Sequence, residues 1–195
     1  MNSRTTEITR KTNETDIQLA LCLDGSGKAE VSTGIGFLDH LVTSLARHAR
    51  FDLVLKCSGD LQIDDHHTTE DCALVLGSAL DKILGDRAGI ARFGWAYAPL
   101  DEALARCAVD LCGRPYQSVD LGLKREAIGE LSCENVGHFL SSFAATARCS
   151  LHVDVLRGQN DHHRAEAAFK AVALALRVAV SRDGDGVPST KGVLG

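Results

Sequence analysis

The sequence is short of the features that mark several protein classes. No uncharged apolar run reaches the roughly 20 residues that span a bilayer, and the opening stretch MNSRTTEITRKTNETD has no apolar segment of the kind an export signal needs. Neither a membrane protein nor a secreted one is expected, and the cytoplasm is the expected compartment. Basic residues are outnumbered, with 21 Lys and Arg against 26 Asp and Glu for a net charge of -5, and no basic stripe offers a nucleic-acid surface. Any phosphate recognition must then be local. Seven cysteines (Cys22, Cys57, Cys72, Cys107, Cys112, Cys133, Cys149) include no Cys-x-x-Cys pair, and the odd number fits reduced structural thiols better than a zinc-cysteine site. Low-complexity linkers are also missing. What remains is ordinary globular composition, 45% apolar and 24% charged in 195 residues, enough for one domain or two fused halves around a real core.

The most informative pattern is internal. Asp65-His66-His67-Thr68-Thr69-Glu70 laid over Asp161-His162-His163-Arg164-Ala165-Glu166 gives a shift of 96 residues, and Ala79-Leu80 then falls on Ala175-Leu176. With a two-residue adjustment His40 falls on His138, Arg50 on Arg148 and Leu53 on Leu151, so one ancestral half has been used twice, over residues 1-88 and 89-195.

Periodicity divides the chain the same way. Ile17, Leu19, Leu21 and Leu23 alternate up to the turn Asp24-Gly25-Ser26-Gly27, and Ala29, Val31 and Thr33 resume the alternation, as in a hairpin. Leu38, Leu41, Leu45 and Ala49 predict a helix over 37-49, and Phe51, Leu53, Leu55 and Cys57 return to period two. After Ser58-Gly59-Asp60 a short strand is expected, then a helix N-capped by Asp65, with an apolar stripe of Leu76, Leu80, Ile83 and Leu84 ending at Gly85. The second half repeats this order: an opening strand over 92-99 matching 5-12, Val109 and Leu111, a turn at Gly113-Arg114-Pro115, a strand over 119-123, a helix over 135-147, a strand over 151-155, and a last helix with the stripe Phe169, Val172, Leu176 and Val180. The fold class is α/β (α+β), each half being strands covered on one face by two helices and packed against its copy, a single domain over 1-195.

Chemistry concentrates in the repeated motif. Residues i and i+4 share a helix face, so His66 with Glu70, and His162 with Glu166, can converge on one cation. The adjacent His67 and His163 point about 100 degrees away. Two metals follow, each taking the i and i+4 pair of one helix and the adjacent histidine of the other, with His40 and His138 completing sets of three nitrogens and one oxygen. Four protein ligands leave two octahedral positions open, which favours a catalytic site, and the donor types suit manganese, iron or zinc. His152 lies in a strand pattern and reads as a packed or surface residue.

Five segments, Gly34-Ile35-Gly36-Phe37-Leu38-Asp39-His40, Asp64-Asp65-His66-His67-Thr68-Thr69-Glu70-Asp71, Gly113-Arg114-Pro115-Tyr116, Gly158-Gln159-Asn160-Asp161-His162-His163-Arg164-Ala165-Glu166 and Pro188-Ser189-Thr190-Lys191-Gly192, resemble in order the signatures of the imidazoleglycerol-phosphate dehydratase family. No phosphatase half is present, so the single-function form is the match. The resemblance implies a ribosomal-protein-S5 domain 2-like half, two Mn2+ per site (Zn2+ or Fe2+ as substitutes), and a homo-oligomeric 24-mer with sites where subunits meet, so that a neighbour can complete the pairing above. Carried over, the metal ligands are His40, His66, His67, Glu70, His138, His162, His163 and Glu166. Phosphate contacts fall to Arg92, Arg114, Ser189 and Lys191, and Lys170 joins them from one turn beyond Glu166. Glu14, His48 and Asp101 match positions near the substrate hydroxyls and are the candidates for proton transfer.

The implied substrate, imidazole glycerol phosphate, loses water although no carbonyl neighbours the departing hydrogen. Its ring must supply the electrons: metal on both ring nitrogens favours the imidazolate, which expels the hydroxyl as a diazafulvene, and proton loss then gives an enol that tautomerises to imidazole acetol phosphate. Two rivals use the same ligands, a dinuclear metal hydrolase with a bridging hydroxide and a purely structural metal clamp. The open coordination positions argue against the clamp.

Overall fold

The computed structural model describes residues 3-194. Its first half runs β1 (Thr5–Lys11), β2 (Thr15–Cys22), β3 (Ala29–Ser32), α1 (Gly36–Ala49), β4 (Asp52–Gly59) and α2 (His66–Leu84). Its second half runs β5 (Phe93–Leu100), β6 (Ala103–Asp110), β7 (Tyr116–Asp120), β8 (Ala127–Ile128), β9 (Leu131–Ser132), α3 (Cys133–Ala147), β10 (Ser150–Arg157) and α4 (Asp161–Ala179). The two four-stranded sheets have equivalent orders, β1-β2-β4-β3 and β5-β6-β10-β7. The duplication seen in the motifs is therefore carried by the topology.

Each sheet buries one face. In β2, Ile17, Leu19 and Leu21 point inward, and in β6 Ala103, Ala105, Cys107 and Val109 do the same. The helices lie between the sheets and pair across the halves, α2 against α3 and α1 against α4. Phe169, Val172 and Leu176 on α4 are at most 1% exposed, and each such side chain contributes roughly 2 kcal/mol by leaving water. Arg50 and Arg148, matched in the repeat, end α1 and α3 in the same left-handed conformation, at φ 61 and 51. All seven cysteines are free thiols, and His152 lies on the exposed sheet face with its ring 5.4 Å from that of Tyr116.

Four expectations need correction. β2 and β3 do not form a hairpin: β3 pairs parallel with β4, which lies between them, and the antiparallel hairpin is β1 with β2. The crossover through α1 makes that parallel pairing non-local. No strand follows Asp60; residues 61-63 turn directly into α2. The strand expected over 119-123 sits earlier, at Tyr116–Asp120, in parallel register with β10. Finally, Asp65 makes no side-chain cap. Asp64 Oδ1 accepts from the His66 amide at 2.8 Å, and Asn160, its repeat partner, accepts from the His162 amide at 2.9 Å.

Asp65 and Asp161 instead hold the two ends of a strap, residues 121-132, that exists only in the second half. Asp65 accepts from the Ser132 amide and hydroxyl at 2.7 and 2.8 Å, and Asp161 accepts from the Lys124 and Arg125 amides at 2.9 and 2.7 Å. The strap thus joins the N-termini of α2 and α4.

Arg4 ties the first strand to the end of the chain. Its guanidinium donates to both Asp24 oxygens and to the Val180 carbonyl, and the hydrogen bond from Arg4 is the leading reason the Asp24 carboxyl falls from 3.8 to about 2. A depressed carboxylate stabilises the fold above its unfolded value, and that stability is lost as pH falls through the folded value. The pair is partly exposed, so its worth is on the order of 1 kcal/mol. Asp24→Asn should melt below the parent protein at pH 7, and the two melting temperatures should converge between pH 4 and pH 2 in a calorimetric titration; a constant gap down to pH 2 would refute the assignment.

Candidate metal centre

Two groups of metal-type donors form among the described residues: His40, His162 and Glu166 in one, His66, Glu70 and His138 in the other, with ligand atoms all within 4.8 Å of one another. The helix pairing builds them. α4 supplies the i and i+4 residues of the first group and α1 supplies His40; α2 supplies the i and i+4 residues of the second and α3 supplies His138. Glu166 Oε2 lies 3.2 Å from His40 Nε2 and 3.3 Å from His162 Nε2, while Glu70 Oε1 lies 3.0 Å from His138 Nε2. Burial alone would raise the Glu166 carboxyl, but the hydrogen bond from Lys170 (2.7 Å) and the contact with His40 bring it to about 2. It is an anion at neutral pH. Phe37 packs 4.9 Å from the His162 ring and shields one side of that group.

The donor chemistry fits a divalent cation, since imidazole nitrogens with a carboxylate suit manganese, iron or zinc. Orientation fits as well. His66 Nδ1 donates to Asn135 Oδ1 at 3.1 Å, which leaves Nε2 to face a metal. Asn135 is buried, and its amide also helps hold Asp65 ionised against the cost of burial.

The adjacent histidines do not join these groups. His67 Nδ1 lies 3.0 Å from Asp60 Oδ2 and His163 Nδ1 lies 2.7 Å from Glu102 Oε2; both rings are raised above the ordinary imidazole value, chiefly by those bonds. The expected exchange of adjacent histidines between the two helices of one chain is therefore not made within the chain. Each group has three donors, not four. Beyond His67 Nε2, at 3.8 Å, lies Glu14, and beyond His163 Nε2, at 3.9 Å, lies Asp101. Glu14 precedes β2 and Asp101 precedes β6, so these two proton-transfer candidates occupy equivalent hairpin turns. His48 lies near the end of α1 with its imidazole lowered, first by burial and then by the charge of Lys170.

Arg92, Arg114, Ser189 and Lys191 come together, lining a cavity of about 600 Å3 with Phe93 and Pro188. Arg92 is fixed there by Asp110, at 2.7 and 3.0 Å, and by the Pro188 carbonyl at 2.8 Å. Lys170 is not among the lining residues; it is bonded to Glu166. The cavity adjoins the C-terminal end of α4, where the Arg92 amide donates to the Ala179 carbonyl at 2.9 Å. His162, at the other end, is 17 residues away, roughly 25 Å at 1.5 Å per residue. Asp60, Glu102 and Asn135 were not singled out in the sequence. They lie outside the repeated motif, and a lone polar residue has no periodicity to reveal it.

The family model for imidazoleglycerol-phosphate dehydratase matches residues 33–176. The chain belongs to that family. Curated relatives bearing the family's name include one from Phytophthora nicotianae, 63% identical over 98% of this chain, which spans 42% of that longer protein, and one from Saccharomyces cerevisiae, 52% identical over 96% of each. Crystal structures of family members superpose closely: that from Staphylococcus aureus has TM-score 0.83 at 35% identity, covering 92% of this chain and 99% of its own, and that from Pyrococcus furiosus has 0.82 at 36%, covering 96% and 100%. As a family member the chain is an enzyme of the hydro-lyase class. Among the described residues no helix is long and apolar enough to cross a membrane.

Proposed function

We propose that this protein dehydrates imidazole glycerol phosphate to imidazole acetol phosphate in cytoplasmic histidine biosynthesis, at a site holding two divalent ions, manganese by preference. The observation that carries the reading is the equivalence of the two His-His-Glu groups, built from the same motif in each half. His40, His162 and Glu166 would hold one ion and His66, Glu70 and His138 the other, with His67 and His163 each offering Nε2 to an ion of a neighbouring copy. Bound there, the ions would supply Lewis acidity to the substrate ring, which would help the ring push electrons toward the departing hydroxyl.

Two protons must move, one off carbon and one onto the leaving hydroxyl. Glu14, Asp101 and His48 are the groups for these transfers. Arg92, Arg114, Ser189 and Lys191 would take the phosphate. A ring, three carbons and a phosphate extend to roughly 10 Å at ordinary bond lengths, so no one substrate reaches both ends of α4. That mismatch supports a homo-oligomer, the 24-mer implied by the family resemblance, with sites shared between subunits; it also gives Lys170 a way to meet a phosphate held by another copy. A repeat boundary between residues 88 and 89 would lie in the connection between α2 and β5.

The purified protein given imidazole glycerol phosphate should form an enolisable ketone without releasing inorganic phosphate. Phosphate release with no ketone would favour the hydrolase instead. Glu14→Gln should lower kcat by about 10²–10⁴ with little change in KM, the usual range for a lost proton-transfer group; unchanged kcat would remove Glu14 from the reaction.

A further inference from the structure

Deepening that proposed metal-dependent reading, we infer that Asp60 and Glu102 are positioning residues that lock the His67 and His163 rings so that each presents Nε2 outward as a metal donor. The duplication acts as an internal control. His67 and His163 are repeat equivalents, but the carboxylates that hold them are not: Asp60 follows β4, just before the motif helix, whereas Glu102 sits in the turn between β5 and β6. Had these contacts been inherited as packing, the same loop would have supplied both. Instead two unrelated loops provide the same bond, carboxylate to Nδ1–H, at 3.0 and 2.7 Å.

The bond has two effects. It places the ring proton on Nδ1, so the lone pair is on Nε2, and it fixes the rotation of an imidazole whose Nε2 lies beyond hydrogen-bond distance of the carboxylate it faces, 3.8 Å from Glu14 for His67 and 3.9 Å from Asp101 for His163. Both histidines are partly exposed, at 33% and 28%, and an untethered ring there would sample several rotamers. Asp60 is itself largely buried, with its side chain 16% exposed. Glu102 has a second task, because Oε1 accepts from the Gln159 and Asn160 amides at 3.0 and 2.8 Å and so anchors the loop that enters α4. His163 is thus coupled to the start of its own helix.

The test is metal affinity, measured by competition with a fluorescent chelator and by metal content of the assembled protein, alongside thermal melting. Asp60→Ala should weaken binding of manganese by about 10- to 100-fold with the melting temperature of the metal-free protein unchanged. Asp60→Asn keeps an acceptor oxygen for Nδ1–H and should recover most of that loss. Glu102→Gln serves for the second ring: its one amide oxygen can keep the Gln159 and Asn160 amides, which turns the NH2 toward Nδ1 and removes that acceptor, whereas Glu102→Ala would also free the loop at residues 159-160. Parental affinity in both Asp60→Ala and Glu102→Gln would overturn the inference, as would an Asp60→Asn protein no better than Asp60→Ala. A parent protein that binds no divalent ion would instead defeat the metal-dependent reading itself.

Discussion

Glu166→Gln should lower turnover by about a thousandfold or more and cut retained metal, with the far-ultraviolet circular dichroism unchanged. Lewis-acid stabilisation is worth several kcal/mol, at 1.36 kcal/mol per tenfold in rate. Glu166 is the shared acceptor of His40, His162 and Lys170. Under the proposed metal-bound reading, its neutralisation removes a ligand charge and also leaves the Lys170 ammonium unpaired beside the cation. Chelation should reproduce the loss in the parent protein, and added manganese should reverse it. Affinity for a phosphate-bearing substrate analogue that lacks the imidazole should survive both treatments, because the Arg92 cavity adjoins the opposite end of α4. Turnover within tenfold of the parent after rigorous metal removal would leave the proposed chemistry without a source of acidity.

The second large effect lies in packing. A Cβ at Gly77 on α2 would overlap the Phe143 carbonyl oxygen, the Ala147 amide and the Thr146 hydroxyl of α3. Two of the three are backbone atoms and cannot rotate aside. The helices are also stitched at this crossing, where the Thr146 hydroxyl donates to the Leu74 carbonyl at 2.9 Å. In an open helix Gly→Ala gains about 1 kcal/mol, but overpacking costs about 1–3 kcal/mol and sometimes more, so the overlap wins. Gly77→Val should destabilise by about 3 kcal/mol or more in denaturant melts. Forcing α2 from α3 also separates Glu70 from His138, now 3.0 Å apart. Metal content should then fall by about half, because the group on α1 and α4 does not use this crossing. A Gly77→Val protein as stable as the parent would show that the crossing yields more easily than its backbone contacts imply.

Much of this was legible in the chain. Period-two runs such as Ile17, Leu19 and Leu21, and helical stripes such as Phe169, Val172 and Leu176, mark single elements, since burial of one face dictates the spacing. The repeat of His-His-x-x-Glu placed both i and i+4 pairs on helices, and both pairs converge. Pairing partners were less legible. β3 could be read as an alternating strand, but its neighbour β4 comes only after α1, and alternation carries no record of which strand a ladder joins. The cap of α2 was read one residue late because Asp64 and Asp65 are equally good capping types, and only the strap reveals that Asp65 is occupied with Ser132. The direction of His67 and His163 followed from helix geometry; the carboxylates that meet Nδ1, Asp60 and Glu102, did not, since they lie outside the repeated motif.

The length of α4 has a genetic consequence. Under the shared-site reading, a chain damaged at His162 and another damaged at Arg92 carry their defects in different sites of a mixed assembly. Two inactive alleles could then complement one another when expressed together, whereas two alleles defective at the same end could not.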